Sequence, residues 1–124
     1  MSFRLRQSGR IWLGEFTALT DAGFTNGCSC RLHGASSIVP DGFNLALHVG
    51  DAAELVLANR RQFAAALGVD AAKFTTCAQV HGSKVAKVTA DLVGSGAAAF
   101  ADTVAGTDAL ITDLPGVPLL LFYA

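Results

Sequence analysis

The run Cys77-Ala78-Gln79-Val80-His81-Gly82-Ser83-Lys84-Val85 carries strand-forming residues up to a histidine, breaks at Gly82-Ser83, and resumes as a second apolar run from Val85 to Val88. That pattern predicts a strand, a turn with the histidine at its tip, and a return strand. Side chains alternate across a strand. Cys77, Gln79 and His81 therefore share one predicted face, and Thr76, Ala78 and Val80 the other. One face then holds three side chains able to bind a metal or a polar ligand. The simpler reading of the same residues is a core cysteine, a strand glutamine and a hydrogen-bonded turn histidine. A nucleophilic Cys77 with His81 as its base is excluded. Four strand residues at roughly 3.3 Å each separate the pair by about 13 Å, beyond hydrogen-bond reach. A base from elsewhere, such as His48, stays open.

Working outward, Asp108-Ala109-Leu110-Ile111-Thr112 reads as a strand, Pro115-Gly116 as a turn, and Leu119 to Ala124 as a buried apolar strand that needs cover on both faces. Upstream, the helix signal is strongest from Asp51 to Leu67. Asp51 suits an N-cap, Glu54 completes a capping box, Val56, Arg60, Phe63 and Leu67 recur at helical spacing with Ala64 between them, and Gly68 ends the helix. Phe43 to Val49 alternates as a strand, with Asn44 and His48 on one side. Ala35 to Gly42 is a loop, Asp21-Ala22-Gly23 a turn, and residues 3–18 give short strands at Phe3 to Leu5 and Ile11 to Phe16 around Ser8-Gly9. Asp91 to Val104, rich in glycine and alanine, reads as a loop with room for a short helix. The fold class is α/β, with mixed β-sheets flanked by helices.

The chain has 124 residues, sufficient for one domain, and a formal net charge of −1, which gives no electrostatic case for nucleic acid or an anionic membrane. No run is long and charge-free enough to span a bilayer. Residues 1–6 lack the apolar core of a signal peptide, so the expected compartment is the cytoplasm. Three cysteines, an odd number, argue against a disulfide framework and are expected to be small buried thiols.

Taken together, Asn44-Leu45-Ala46-Leu47-His48-Val49-Gly50-Asp51, Asn59-Arg60-Arg61, Gln79-Val80-His81-Gly82, Asp108-Ala109 and Pro115-Gly116 resemble, in order, the motifs of the laccase-domain family. Proteins of that family also go by polyphenol oxidase, peptidoglycan editing factor and, more recently, purine nucleoside phosphorylase. The resemblance runs from about Phe24 to the last residue. It departs at Ser29-Cys30-Arg31-Leu32-His33-Gly34, where the family resembles STR-x-GG: the arginine is kept, but the second residue and first glycine are not.

The resemblance implies an α-β-β-α sandwich and a zinc site with an open position beside a purine nucleoside pocket. Copper is the older alternative. In the family the QVHG histidine binds the metal with a cysteine and a later histidine. Residue by residue, only His81 has a counterpart here, and the cysteine-bearing segment begins about where Ala124 stands. The implied reading is therefore the N-terminal part, residues 1–124, of a single laccase-type domain. It would cleave adenosine, inosine, guanosine or methylthioadenosine with phosphate, and deaminate adenosine. His81 is the catalytic and metal residue; Arg31, Asn44, His48 and Arg60 are candidates to contact substrate or phosphate. Arg31 reads equally as a surface arginine, and His48 as an exposed strand histidine. The implied partners are a purine nucleoside, phosphate, and either a second copy of the chain or a C-terminal half. The alternatives are a non-catalytic fragment or interaction module, and a copper-dependent polyphenol oxidase.

Overall fold

The structure, a computed structural model, describes residues 2–38 and 40–123 and divides into two compact units, residues 1–68 and 69–124. It has mixed α/β architecture, with one antiparallel and one parallel sheet.

The first unit opens with a hairpin. β1 (Phe3–Ser8) and β2 (Ile11–Phe16) pair antiparallel from Phe3↔Phe16 to Ser8↔Ile11 across Gly9, whose φ of 59° suits a two-residue turn. β2 continues into a one-turn helix, α1 (Thr17–Asp21), and then pairs with the short β3 (Cys28–Ser29). Alternation on β2 buries the side chains of Ile11, Leu13 and Glu15, and Gly14 is buried as well, beneath Phe3. Glu15 tolerates this because Arg4 Nη2 donates to its Oε2 at 2.9 Å and Arg6 Nε donates to its Oε1. Those two guanidinium groups, Arg6 first, hold its carboxyl below the usual carboxylate range. The ring of Phe3 lies across Gly14, where an added Cβ would meet it at 2.0 Å.

β4 (Leu32–Ser36) and α2 (Ala53–Leu67) complete this unit. The helix buries Val56, Asn59, Arg60, Phe63 and Ala64, a stripe at spacings of three and four that faces the core. Two polar residues sit inside the stripe. At the C-terminus Gly68 adopts φ 71°, as its sequence position predicts, and Arg6 Nη2 donates to the Ala66 carbonyl at 2.7 Å.

The N-terminus differs from expectation. The helix starts at Ala53, Ala52 occupies the N-cap without a side-chain cap, and Glu54 is exposed, so no capping box forms. Asp51 is committed elsewhere. Its carboxylate accepts from Ser36 Oγ, from Ser37 N and Oγ, and from Asn44 Nδ2. Nor is Phe43 to Val49 a strand. Gly42 makes only isolated bridges to Leu32 and Ser36, residues 43–46 are irregular, and residues 47–50 turn. The physical reason is that backbone pairing ends at Phe43, whose N–H donates to the Arg31 carbonyl at 2.7 Å, and side chains satisfy the Asn44, Leu45 and Ala46 backbone beyond it.

The second unit begins with a 3-10 turn at Ala71–Lys73, capped by Asp70, whose Oδ1 accepts from Ala72 N at 2.9 Å. β5 (Val85–Lys87) runs parallel to β6 (Ala109–Ile111), so it is not a return strand for residues 77–81. Cys77, Val88 and Leu110 form a buried cluster, enclosed by Leu92, Val93, Val104, Val117, Leu119 and Leu121. The expected strand at 77–81 is two parallel bridges, Thr75↔Leu119 and Cys77↔Val104, after which the backbone leaves regular pairing. The expected strand at 119–124 likewise keeps only the Leu119 bridge. Leu120 is buried, Tyr123 is exposed, and Ala124 lies outside the described residues. Of the cysteines only Cys77 is buried; Cys30 is half-buried and Cys28 exposed, a departure from three buried thiols.

Candidate functional site

The candidate residues fall into two groups. Arg31, Asn44, His48 and Arg60 belong to the first unit and His81 to the second.

In the first unit the segment 42–46 is held by α2. Asn59, 1% exposed, takes the Ala35 N–H on its Oδ1 at 2.8 Å, and its Nδ2 donates to the carbonyls of Asn44 at 3.0 Å and Gly42 at 3.4 Å. Arg60, 2% exposed, donates from Nε to the Leu45 carbonyl at 2.8 Å. Burial lowers its guanidinium pKa to about 10, so it is charged at neutral pH. Asn44 folds back on its own loop. Its Oδ1 accepts from Ala46 N at 2.9 Å, and its Nδ2 donates to the Ala46 carbonyl at 3.0 Å and to Asp51 at 3.1 Å. Asn44 and Arg60 therefore have backbone partners; Arg31 and His48 lie at the surface.

Arg31 borders two clefts. An open cleft of about 560 Å³ is lined by Leu5, Trp12, Cys30, Arg31, Leu32 and His33. A smaller one of about 220 Å³ is lined by Arg31, Ser36, Ile38, Gly42, Phe43 and Asn44. The larger lies in the size range of small-molecule sites, and it combines an indole and leucines with one guanidinium.

In the second unit Gln79 is used by the fold: its Nε2 donates to the Phe122 carbonyl at 3.3 Å and its Oε1 accepts from Phe122 N at 3.1 Å. Cys77 is buried, and burial, reinforced by the charge of Asp108, pushes its thiol pKa up. The predicted face of three ligand side chains is thus not formed. His81 is exposed, with φ 58° in the left-handed region that favours glycine. The amides on either side of it are held by Asp108: Val80 N donates to Oδ1 and Gly82 N to Oδ2, each at 2.8 Å.

Sequence reasoning missed Asp108, Asn59 and the true work of Asp51. The available signals were an Asp-Ala pair directly before a strand and an asparagine beside an arginine on a buried helical stripe. Among the described residues no three His, Cys, Asp or Glu side chains gather closely enough to hold a metal ion. One imidazole fills one position of a zinc shell, which takes three or four protein ligands. The described residues do not by themselves fit that ion.

Residues 25–124 match the model of a family described as multi-copper polyphenol oxidoreductase laccase. The chain belongs to that family. This laccase-family chain is 40% identical over 120 residues to the purine nucleoside phosphorylase YlmD of Geobacillus stearothermophilus, covering 96% of itself and 43% of that protein. It is 30% identical over 98 residues to a purine nucleoside phosphorylase of Staphylococcus saprophyticus, covering 79% of itself and 37% of that protein. The crystal structure of Geobacillus YlmD matches with a TM-score of 0.83 at 37% identity, over 93% of this chain and 42% of the other. That of the Bacillus licheniformis hypothetical protein YfiH matches with a TM-score of 0.81 at 28% identity, over the same shares. The chain thus spans about two fifths of the length of the relatives it matches. No helix among the described residues is long and apolar enough to cross a membrane.

Proposed function

We propose that this chain carries part of the site of a cytoplasmic purine nucleoside phosphorylase. The observation that supports the reading best is the presentation of His81: an exposed imidazole on left-handed backbone that two flanking hydrogen bonds hold in place. His33 and Asp41 also sit at positive φ, so what sets His81 apart is that both flanking amides are held by one carboxylate. The reaction class comes from the names of the relatives, and the particular nucleosides and the deamination come from the family resemblance. Phosphate attacks the anomeric carbon of adenosine, inosine, guanosine or methylthioadenosine, the bond to the base breaks, and the free purine leaves with ribose 1-phosphate, or with 5-methylthioribose 1-phosphate in the case of methylthioadenosine. Deamination of adenosine is the second proposed reaction.

The step needs a cation beside the phosphate and a pocket for an aromatic base. Arg31, exposed at the junction of two clefts, is the proposed phosphate contact, and His48 a second substrate contact. Asn44 and Arg60 contribute by holding the backbone of residues 44–46, part of which lines the smaller cleft. His81 is the proposed metal ligand. With one donor, the isolated chain is expected to lose zinc on dialysis. One zinc held tightly per 124-residue chain would show other donors at work, with Cys77 and His48 the first to be tested. The copper-dependent oxidase reading follows the family's description; oxygen uptake with a phenol and copper would favour it.

The direct test is a chimera in which this chain replaces the matching part of the Geobacillus phosphorylase. It is expected to release hypoxanthine from inosine in phosphate buffer, and His81→Ala to abolish that release. An unchanged rate in His81→Ala removes His81 from the mechanism.

A further inference from the structure

We propose that Asp108 is the positioning residue for His81, its carboxylate fixing the direction in which the imidazole leaves the backbone. This rests on His81 being the site residue of the second unit. The two oxygens of Asp108 divide their work: Oδ1 takes the Val80 N–H and Oδ2 the Gly82 N–H, both at 2.8 Å. These are the amides immediately before and after a residue at φ 58°. A carboxylate that accepts two backbone N–H groups makes strong charge-assisted hydrogen bonds, and together they compensate a conformation that a non-glycine residue otherwise avoids.

The clamp has a firm base. Asp108 directly precedes β6, and the N–H groups of Asp108 and Ala109 both donate to the Lys84 carbonyl, at 3.0 and 3.3 Å. The loop is therefore tied to the start of β6 on both sides of the turn. The next residue, Ala109, pairs with Val85, and Leu110 lies in the buried cluster. Gly82 fits the same design, because a Cβ there would stand 3.1 Å from Asp108 Oδ2. Gln79 anchors the upstream end through Phe122. In this loop Gln79, Val80 and Gly82 are held by hydrogen bonds to or from their side chains and amides, and the residue between the two clamped amides displays its side chain.

The test uses the full chain and two variants, Asp108→Ala and Asp108→Asn, the second keeping the size and one strong acceptor. Amide hydrogen exchange reads the two clamped N–H groups, and the 15N order parameter of His81 reads its rigidity. In Asp108→Ala, exchange at Val80 and Gly82 is expected to accelerate roughly tenfold or more. The His81 order parameter is expected to fall from about 0.85 to below about 0.6. Ala78 N–H, which donates to the Val104 carbonyl at 2.8 Å, is the control and should not change. In Asp108→Asn one of the two amides should keep its protection, a partial rescue that general loss of stability does not give. Unchanged exchange at both amides, or a His81 that stays rigid in Asp108→Ala, overturns the proposal and leaves the phosphorylase reading intact. Turnover that survives His81→Ala in the chimera removes His81 from the mechanism and with it the positioning role of Asp108, whereas a folded chimera that releases no hypoxanthine defeats the phosphorylase reading and leaves the clamp standing.

Discussion

Around residues 42–46, polar side chains reach inward to hold backbone. Asn59 and Arg60, almost wholly buried on α2, take up the carbonyls of Gly42, Asn44 and Leu45, and Asp51 gathers Ser36, Ser37 and Asn44. Around residues 79–82, a carboxylate and an amide also hold backbone, yet the residue at the centre, His81, turns its side chain out to solvent. Both regions carry family motifs, so a motif residue is not automatically a ligand residue. In the first region the motif side chains are architecture. In the second the architecture serves one displayed imidazole.

The largest expected effect tests the first half of that contrast. Asn59→Ala removes the partner of the Ala35 N–H and of the Gly42 and Asn44 carbonyls, the Gly42 bond being buried, and should cost roughly 3 kcal/mol of stability in denaturant unfolding. A loss under about 1 kcal/mol, the net worth of a single hydrogen bond, would mean that the 42–46 segment has other support. Next comes Arg60. Arg60→Ala loses both the packing of its stem and the bond to Leu45, and is expected to cost about 2 kcal/mol. Arg60→Met keeps the packing and removes a buried charge, so it should cost less. The reverse order would show that the guanidinium and not the stem does the holding.

Acid sharpens the same region. Hydroxyls of Ser37 and then Ser36, followed by the Asn44 amide, lower the Asp51 pKa well below its ordinary 3.8. Because the folded pKa is the depressed one, the stability it contributes is present above that ordinary value and is lost as pH falls from it toward the folded pKa. Asp51→Asn should therefore flatten the acid limb of the stability curve. Glu15, held low by Arg6 and Arg4, should leave a residual slope in that variant. An unchanged acid limb would remove Asp51 from its place in the loop.

Much of this was legible in the sequence. The hairpin at 3–16, the helix stripe with Gly68 behind it, and the ordered motifs follow from periodicity, turn chemistry and resemblance. The two misread strands share a cause. Phe43 to Val49 and Cys77 to His81 look like strands because their residue types favour pleated backbone, but a strand also needs a partner. Here Asn59, Arg60 and Asp108 satisfy the backbone in a partner's place, and such long-range side-chain bonds leave no periodic trace. The capping box at Asp51 failed similarly, because Ser36 and Ser37, far upstream, claimed the carboxylate.

The smallest expected effect lies in the second unit. Thr76 is fully buried, and its Oγ1 has no hydrogen-bond partner among the described residues. Thr76→Val should be neutral or stabilising by up to about 1 kcal/mol. A clear loss of stability would reveal a partner for that hydroxyl.

The central claim is that His81 is displayed by the fold and does not hold it. The most direct measurement is the unfolding free energy of His81→Gly against the wild-type chain. Glycine adopts φ 58° without strain, so the variant should be as stable as the wild type or more stable by about 1 kcal/mol. A loss of stability of that size or larger would contradict the account, because the imidazole would then be a structural group.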